Sequence, residues 1–218
     1  MPAKLKLGVL ASGSGTNLQS IIDACAAGSI DAEVVLVVSN NPDAGALKRA
    51  ADAGLNHTCI NHRDFTSRES FDREVVTTLR NAGVELVCLA GFMRLITEDF
   101  LAAFPGRVMN IHPALLPAFP GLDVQRKAIE YGARFSGCTV HFVDAGVDTG
   151  PVIIQAVVPI LDDDTPDTLA ARILRQEHQV YPRAIQLFAE GRLKVDGRRV
   201  RVDAPPDETA ALVNPSLI

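Results

Sequence analysis

Residues Ala32–Ser39 read AEVVLVVS. The run is dominated by valine and lacks the in–out alternation of a strand with one wet face. That is what a strand covered on both faces requires. On either side of it, short apolar runs alternate with segments of helical period. Residues 4–11 predict a strand and 17–27 a helix; 45–53 predict a second helix and 57–60 a weak strand. Thr66-Ser67-Arg68-Glu69 has the Thr-x-x-Glu form of a capping box and opens a helix with Phe71, Val75 and Leu79 on one face. Residues 85–90 (ELVCLA) predict a buried strand, 97–104 a short helix stopped by Pro105-Gly106, and 107–112 (RVMNIH) the next strand. This alternation predicts an α/β fold, an open, mostly parallel twisted sheet with helices on both faces.

Beyond His112 the pattern is less regular. Residues 124–131 predict a helix, and 137–143 and 152–159 predict strands. Thr165-Pro166-Asp167 supplies an N-cap, a first-turn proline and a first-turn acid, so a long helix to about residue 190 is expected, kinked at Pro182. Asp196-Gly197 marks a hairpin between two short strands. The Pro-rich tail, residues 204–218, is expected to be flexible. The chain of 218 residues suits one domain over 1–203, with the phosphate-binding features in 1–105 and the remaining chemistry in 106–203.

The formal charge is −5, so a general attraction to nucleic acid is not expected. No apolar run is long enough for a signal peptide or a membrane span, which predicts a cytoplasmic protein without a membrane partner. Cys25, Cys59, Cys88 and Cys138 are scattered and read as small buried residues in a reducing compartment. No metal is expected, since CxxC and HExxH are absent, and His57 and His62 read as surface residues.

Ligands of an open parallel sheet bind beyond the carboxyl ends of its strands. That rule selects Ser12–Asn17 (SGSGTN), Gly91–Arg94, Asn110–Pro113 and Asp144–Pro151. The first is a Gly-rich turn opening a helix, which suits a phosphate; a tight turn without ligand is the alternative. It is a poor dinucleotide fingerprint, because Leu18 stands where a third Gly or Ala belongs. Asn110 and His112 lie two apart on a strand and share a side. An amide N–H can donate to a developing oxyanion and an imidazole can pass protons near neutral pH. Asp148 supplies a carboxylate that favours the protonated ring and fixes its orientation. Alone, a histidine at a strand end equally suits a packed core residue. Glu177 lies on the apolar face of the long helix with Leu169, Ile173, Val180, Ala184 and Phe188, which marks it as partnered, functional or an edge residue.

Together these segments resemble the glycinamide ribonucleotide formyltransferases of purine synthesis. The stretches that carry the likeness are SGSGTN at 12–17, LAGFMR at 89–94, NIHPALLP at 110–117, Pro120-Gly121, VHF at 140–142, DTGPVI at 148–153 and QEHQVYP at 176–182. They keep the family's order over roughly residues 4–195. The resemblance implies a Rossmann-like formyltransferase fold and a single formyltransferase domain over 1–203, with 1–105 as its phosphate-binding half and 106–203 as its catalytic and folate half. It implies that Gly15, Thr16 and Asn17 hold the substrate phosphate and Glu177 its ribose. Arg68, Met93, Arg94, Leu95 and Ile96 are implied to bind folate, with Asp144, Ala145, Gly146 and Val147 as the loop beside the pterin. Asn110 is implied as oxyanion donor, His112 as general acid and base, and Asp148 as the group that keeps His112 charged. The formyl donor implied is 10-formyltetrahydrofolate, with no metal. Without such likeness, Arg94 equally suits an ion pair and Arg68 a solvated first helical turn.

The competing readings are a formyl-folate hydrolase, a formyltransferase acting on charged tRNA and a non-catalytic nucleotide-binding module. With the first strand read from Lys4, the small leading domain of the hydrolases is not expected. A tRNA-binding domain is not expected in the few residues after Glu190. The sequence is compatible with a monomer and with a homodimer.

Overall fold

The computed structural model describes residues 3–203; the tail expectation for 204–218 lies outside them. Among the described residues, nine strands form one sheet in the order β3-β2-β1-β4-β5-β6-β7-β9-β8. They are β1 (Leu5–Leu10), β2 (Ala32–Ser39), β3 (His57–Cys59), β4 (Leu86–Leu89), β5 (Val108–His112), β6 (Phe135–Phe142), β7 (Val152–Pro159), β8 (Leu193–Asp196) and β9 (Arg199–Val202). Strands β1 to β5 pair parallel, whereas β6 runs antiparallel to β5 and to β7. The helices are α1 (Thr16–Ala26), α2 (Gly45–Asp52), α3 (Arg68–Asn81), α4 (Glu98–Ala103), α5 (Val124–Tyr131) and α6 (Pro166–Ala189).

Strand alternation divides the core into two layers. In β1 and β4, Leu7, Val9, Leu86 and Cys88 join one layer with Leu18 and Ile21 of α1 and Leu169, Ile173 and Tyr181 of α6. Leu10, Val87 and Leu89 join the other, with Phe71, Val75 and Leu79 of α3 and Phe100 of α4. Gly8 permits the close approach of α3, since a Cβ there would lie 2.6 Å from Leu79. In β2 the alternation slips. Leu7 pairs with Val34 and Gly8 with Leu36, so Val35 is an extra residue. Val34 and Val37 therefore share one layer while Leu36 and Val38 share the other.

Several expectations shift. The cap of α3 is Ser67, which trades hydrogen bonds with Ser70, one residue later than the Thr66–Glu69 box. The β8–β9 turn is Gly197-Arg198, while Pro182 lies inside helix α6 as expected. Cys59 is exposed and Cys25 half-buried, because β3 is a three-residue edge strand and Cys25 sits at the rim of α1. Cys88 and Cys138 are buried, and burial pushes their thiols up to about 12.

Candidate active site

β5 ends at His112, just before Pro113, which has no N–H to extend the ladder. Asn110 is level with Leu89, the last residue of β4, so His112 stands beyond the neighbouring strand. His112 is 4% exposed. Its Nδ1 lies 3.4 Å from Oδ2 of Asp148, and its Nε2 lies 2.9 Å from the carbonyl oxygen of Phe119. A carbonyl only accepts, so Nε2 carries a proton. The carboxylate also accepts, so the doubly protonated ring satisfies both neighbours.

Asp148 reaches this position by a route the strand-end rule does not describe. Because β6 is antiparallel to β5, its carboxyl end lies beside the start of β5, where Val143 N donates to Val108 O at 2.9 Å. The loop between β6 and β7 doubles back to the site. Its turn puts Asp148 at φ 53, a left-handed conformation that aspartate tolerates. A Cβ at Gly150 would collide with the Phe142 carbonyl. Gly121 N donates to Asp148 Oδ2 at 2.9 Å and Thr149 Oγ1 donates to Asp144 Oδ1 at 2.6 Å.

The structure adds His141, to which the sequence assigns no role. It is the cross-strand partner of Asn110. Asn110 Nδ2 lies 3.2 Å from His141 Nε2, and His141 Nδ1 lies 2.8 Å from the Phe142 carbonyl. Burial holds this imidazole below its ordinary range, against the pull of the Phe142 carbonyl and Asp148. The signal for it is the antiparallel pairing of β5 with β6, which local periodicity does not carry.

These residues open on a cavity of about 960 Å³. Its walls include Asn110, His112 and Asp148, and also Arg68, Met93, Arg94, Leu95, Ile96, Asp144, Ala145, Gly146 and Val147. Met93, Leu95 and Val147 expose large apolar surfaces. The Arg94 guanidinium lies 5.0 Å over the Phe71 ring, and its Nε is buried without a hydrogen-bond partner. Asp72, buried in α3 next to Phe71, accepts from Thr97 N at 2.8 Å and ties the wall to α3. A cavity of this size, with large apolar surfaces beside charged and polar groups, has room for a drug-sized ligand.

Gly15, Thr16, Asn17 and Glu177 lie outside those walls. Gly15 caps α1 at φ 74, and a Cβ there would lie 2.6 Å from the Ala46 Cα. Ala46 N donates to Gly13 O at 3.1 Å, and Arg49 Nε to Ser14 O at 2.8 Å, so α2 braces the turn. The helix start leaves backbone N–H groups for an anion. Asn17 Nδ2 donates to Glu177 Oε2 at 2.7 Å, both residues buried, while Asn17 Oδ1 has no partner. Burial pushes the Glu177 carboxyl up, partly offset by the Asn17 bond. The turn touches the cavity wall through Ser12, whose Oγ accepts from Met93 N at 2.8 Å and donates to Asn40 Oδ1 at 2.6 Å.

Among the described residues, no group of three His, Cys, Asp or Glu is arranged to hold a metal ion, and no helix is long and apolar enough to cross a membrane.

Residues 5–185 match the formyl transferase family. The chain is 46% identical to the phosphoribosylglycinamide formyltransferase of Escherichia coli, over 93% of this chain and 97% of that one. It is 52% identical to the trifunctional purine biosynthetic protein adenosine-3 of Drosophila melanogaster over 85% of its length, but spans only 14% of that longer relative. The crystal structure of glycinamide ribonucleotide transformylase 1 from Symbiobacterium toebii superposes with a TM-score of 0.91 at 53% identity, covering 93% of this chain and 95% of that one.

Proposed function

The chain belongs to the formyl transferase family, and from that membership we propose that it carries the formyl group of 10-formyltetrahydrofolate to the amine of glycinamide ribonucleotide in purine biosynthesis. The observation that carries this reading is a single cavity lined by Asn110, His112 and Asp148 and by the Met93–Ile96 wall. Residues 1–203 act as one unit in the cytoplasm on small-molecule substrates. Residues 1–105 supply the phosphate turn and much of the folate wall, and 106–203 supply the reacting side chains.

The substrate phosphate takes the N–H groups of Gly15, Thr16 and Asn17, and Glu177 accepts from the ribose. Arg68 meets the acidic end of the folate, whose pterin lies between the backbone of Met93–Ile96 and the loop Asp144–Val147. Holding both reactants in line removes a large part of the barrier, about 7–11 kcal/mol in favourable cases.

The amine then attacks the formyl carbon and a C–N bond forms. Asn110 donates to the resulting oxyanion, and protonated His112 supplies a second donor. To do so, His112 exchanges its Phe119 carbonyl for the substrate oxygen. Asp148 keeps the ring charged meanwhile. A proton passes from the attacking nitrogen to the departing folate nitrogen through His112 or a water, and the bond to that nitrogen breaks. No step calls on a metal.

A coupled assay with 10-formyltetrahydrofolate and glycinamide ribonucleotide tests the reading. Formylated ribonucleotide is the expected product. Formate released at the same rate without the ribonucleotide marks a hydrolase. No turnover of either substrate marks a binding module.

A further inference from the structure

We propose that His141 is a positioning residue that decides which end of the Asn110 amide faces the reacting carbon. The inference rests on the formyl-transfer reading and adds to it a side chain that acts through Asn110.

An asparagine amide has a donor end and an acceptor end of nearly equal shape. Only the NH₂ end can stabilise an oxyanion; the oxygen end would repel it. Something must therefore fix the amide. His141 Nδ1 lies 2.8 Å from the carbonyl oxygen of Phe142, its neighbour on β6. That oxygen can only accept, so Nδ1 carries the ring proton. In a neutral ring the other nitrogen, Nε2, then offers only a lone pair. Asn110 meets that lone pair at 3.2 Å. The amide must present Nδ2 to it, since the flipped amide would set acceptor against acceptor. One N–H of Asn110 is spent on His141. The other belongs to the same NH₂ group and is left for the cavity that Asn110 lines.

The surroundings keep the ring neutral. His141 is 2% exposed, which disfavours its charge. The titratable groups that act on it are Asp148, Asp144 and His112, and the last opposes a second positive charge. A protonated His141 would place an N–H toward Asp148 Oδ1, now 3.8 Å away, and would no longer accept from Asn110. The same event would draw Asp148 from His112. The tautomer thus keeps the donor aimed and the carboxylate free for its own partner.

Two measurements on the full chain test this. Long-range ¹⁵N–¹H NMR of the wild-type protein at neutral pH should show the His141 proton on Nδ1. A proton on Nε2 overturns the proposal. Kinetically, His141→Leu should lower kcat by about 10–100-fold, a partial loss of one oxyanion donor, with both KM values within about three-fold. His141→Gln puts an acceptor oxygen near the position of Nε2 and should recover to within about five-fold of wild type. Leu turning over within about three-fold of wild type overturns the inference, as do equal losses in Leu and Gln. If His141→Leu does not fold, the wild-type tautomer and the Gln variant decide. Absence of formyl transfer by the wild type would sink the functional reading, whereas the tautomer result would stand independently of it.

Discussion

Nδ1 of His112 faces Oδ2 of Asp148 at 3.4 Å, across a gap closed by a loop that doubles back from the far end of β6. The carboxylate is held in turn by the Gly121 N–H at 2.9 Å. This matters because the opposite ring nitrogen is already committed to the Phe119 carbonyl. With acceptors on both sides, the ring is matched to its charged form, the form that an oxyanion needs beside it. The two acceptors come from separate segments, so each can be removed without the other.

His112→Ala and Asp148→Asn should each lower kcat by about 10²–10⁴-fold, the range of a lost general acid or base. In Asp148→Asn the amide oxygen can still accept from Gly121 N, so the loop should hold. Titration calorimetry should find ribonucleotide binding nearly intact, since the phosphate turn lies outside the cavity walls. An Asp148→Asn enzyme with wild-type turnover at every pH would contradict the pairing.

Asn110→Ala should cost about 10²–10³-fold in kcat, as for loss of a single oxyanion donor. Asn110→Asp should be worse than Ala. It sets a second carboxylate near Asp148 and replaces the donor facing the oxyanion by an acceptor. Steady-state kinetics with saturating folate would rank the two, and an Asp variant faster than Ala would refute the donor role.

Glu177 predicts a trade between stability and binding. Burial raises its carboxyl above the ordinary value of 4.5 in the folded chain. A raised group contributes stability that is full below the unfolded value and is lost as pH rises through the folded one. At neutral pH the buried carboxylate is therefore a liability. Glu177→Gln keeps an acceptor for Asn17 and removes the charge, so its Tm should exceed that of wild type at pH 7. The difference should shrink as pH falls through the raised folded value and vanish below about pH 4.5. KM for the ribonucleotide should rise by about ten-fold, because a neutral oxygen is the weaker acceptor for a ribose hydroxyl. Thermal scans at several pH values check the first claim and initial-rate kinetics the second.

The parallel half of the sheet is legible in the sequence because burial on both faces leaves long valine-rich runs, of which β2 is the type. The extra residue at Val35 is not, since an unbroken apolar run hides a phase slip that alternation would expose. Asn110 and His112 are readable as a pair from strand period alone. Asp148 is selected by a rule for parallel strands although β6 is antiparallel; the loop arrives by folding back. His141 escapes a local reading because its partnership with Asn110 is a matter of strand pairing, a non-local property. Cys59 reads as buried yet is exposed for the same kind of reason, since an apolar run does not say that its strand lies at the sheet edge.

Gly15 separates the cost of backbone conformation from the cost of crowding. It sits at φ 74, where an L side chain costs about 1–2 kcal/mol. A Cβ there would also lie 2.6 Å from the Ala46 Cα, and backbone cannot swing away as a flexible side chain can. Gly28 provides the control. It has a similar φ of 66, with nothing within 4 Å of an added Cβ. Gly28→Ala should therefore lose only about 1 kcal/mol in urea unfolding, the conformational part. Gly15→Ala should lose clearly more, and should push α2 away from the turn. Because Gly13 O and Ser14 O are both held from α2, the displaced helix would take the phosphate turn with it. Ribonucleotide affinity should then fall in Gly15→Ala and stay at the wild-type level in Gly28→Ala. Equal destabilisation of the two variants, with affinity retained in both, would mean that α2 does not brace the turn.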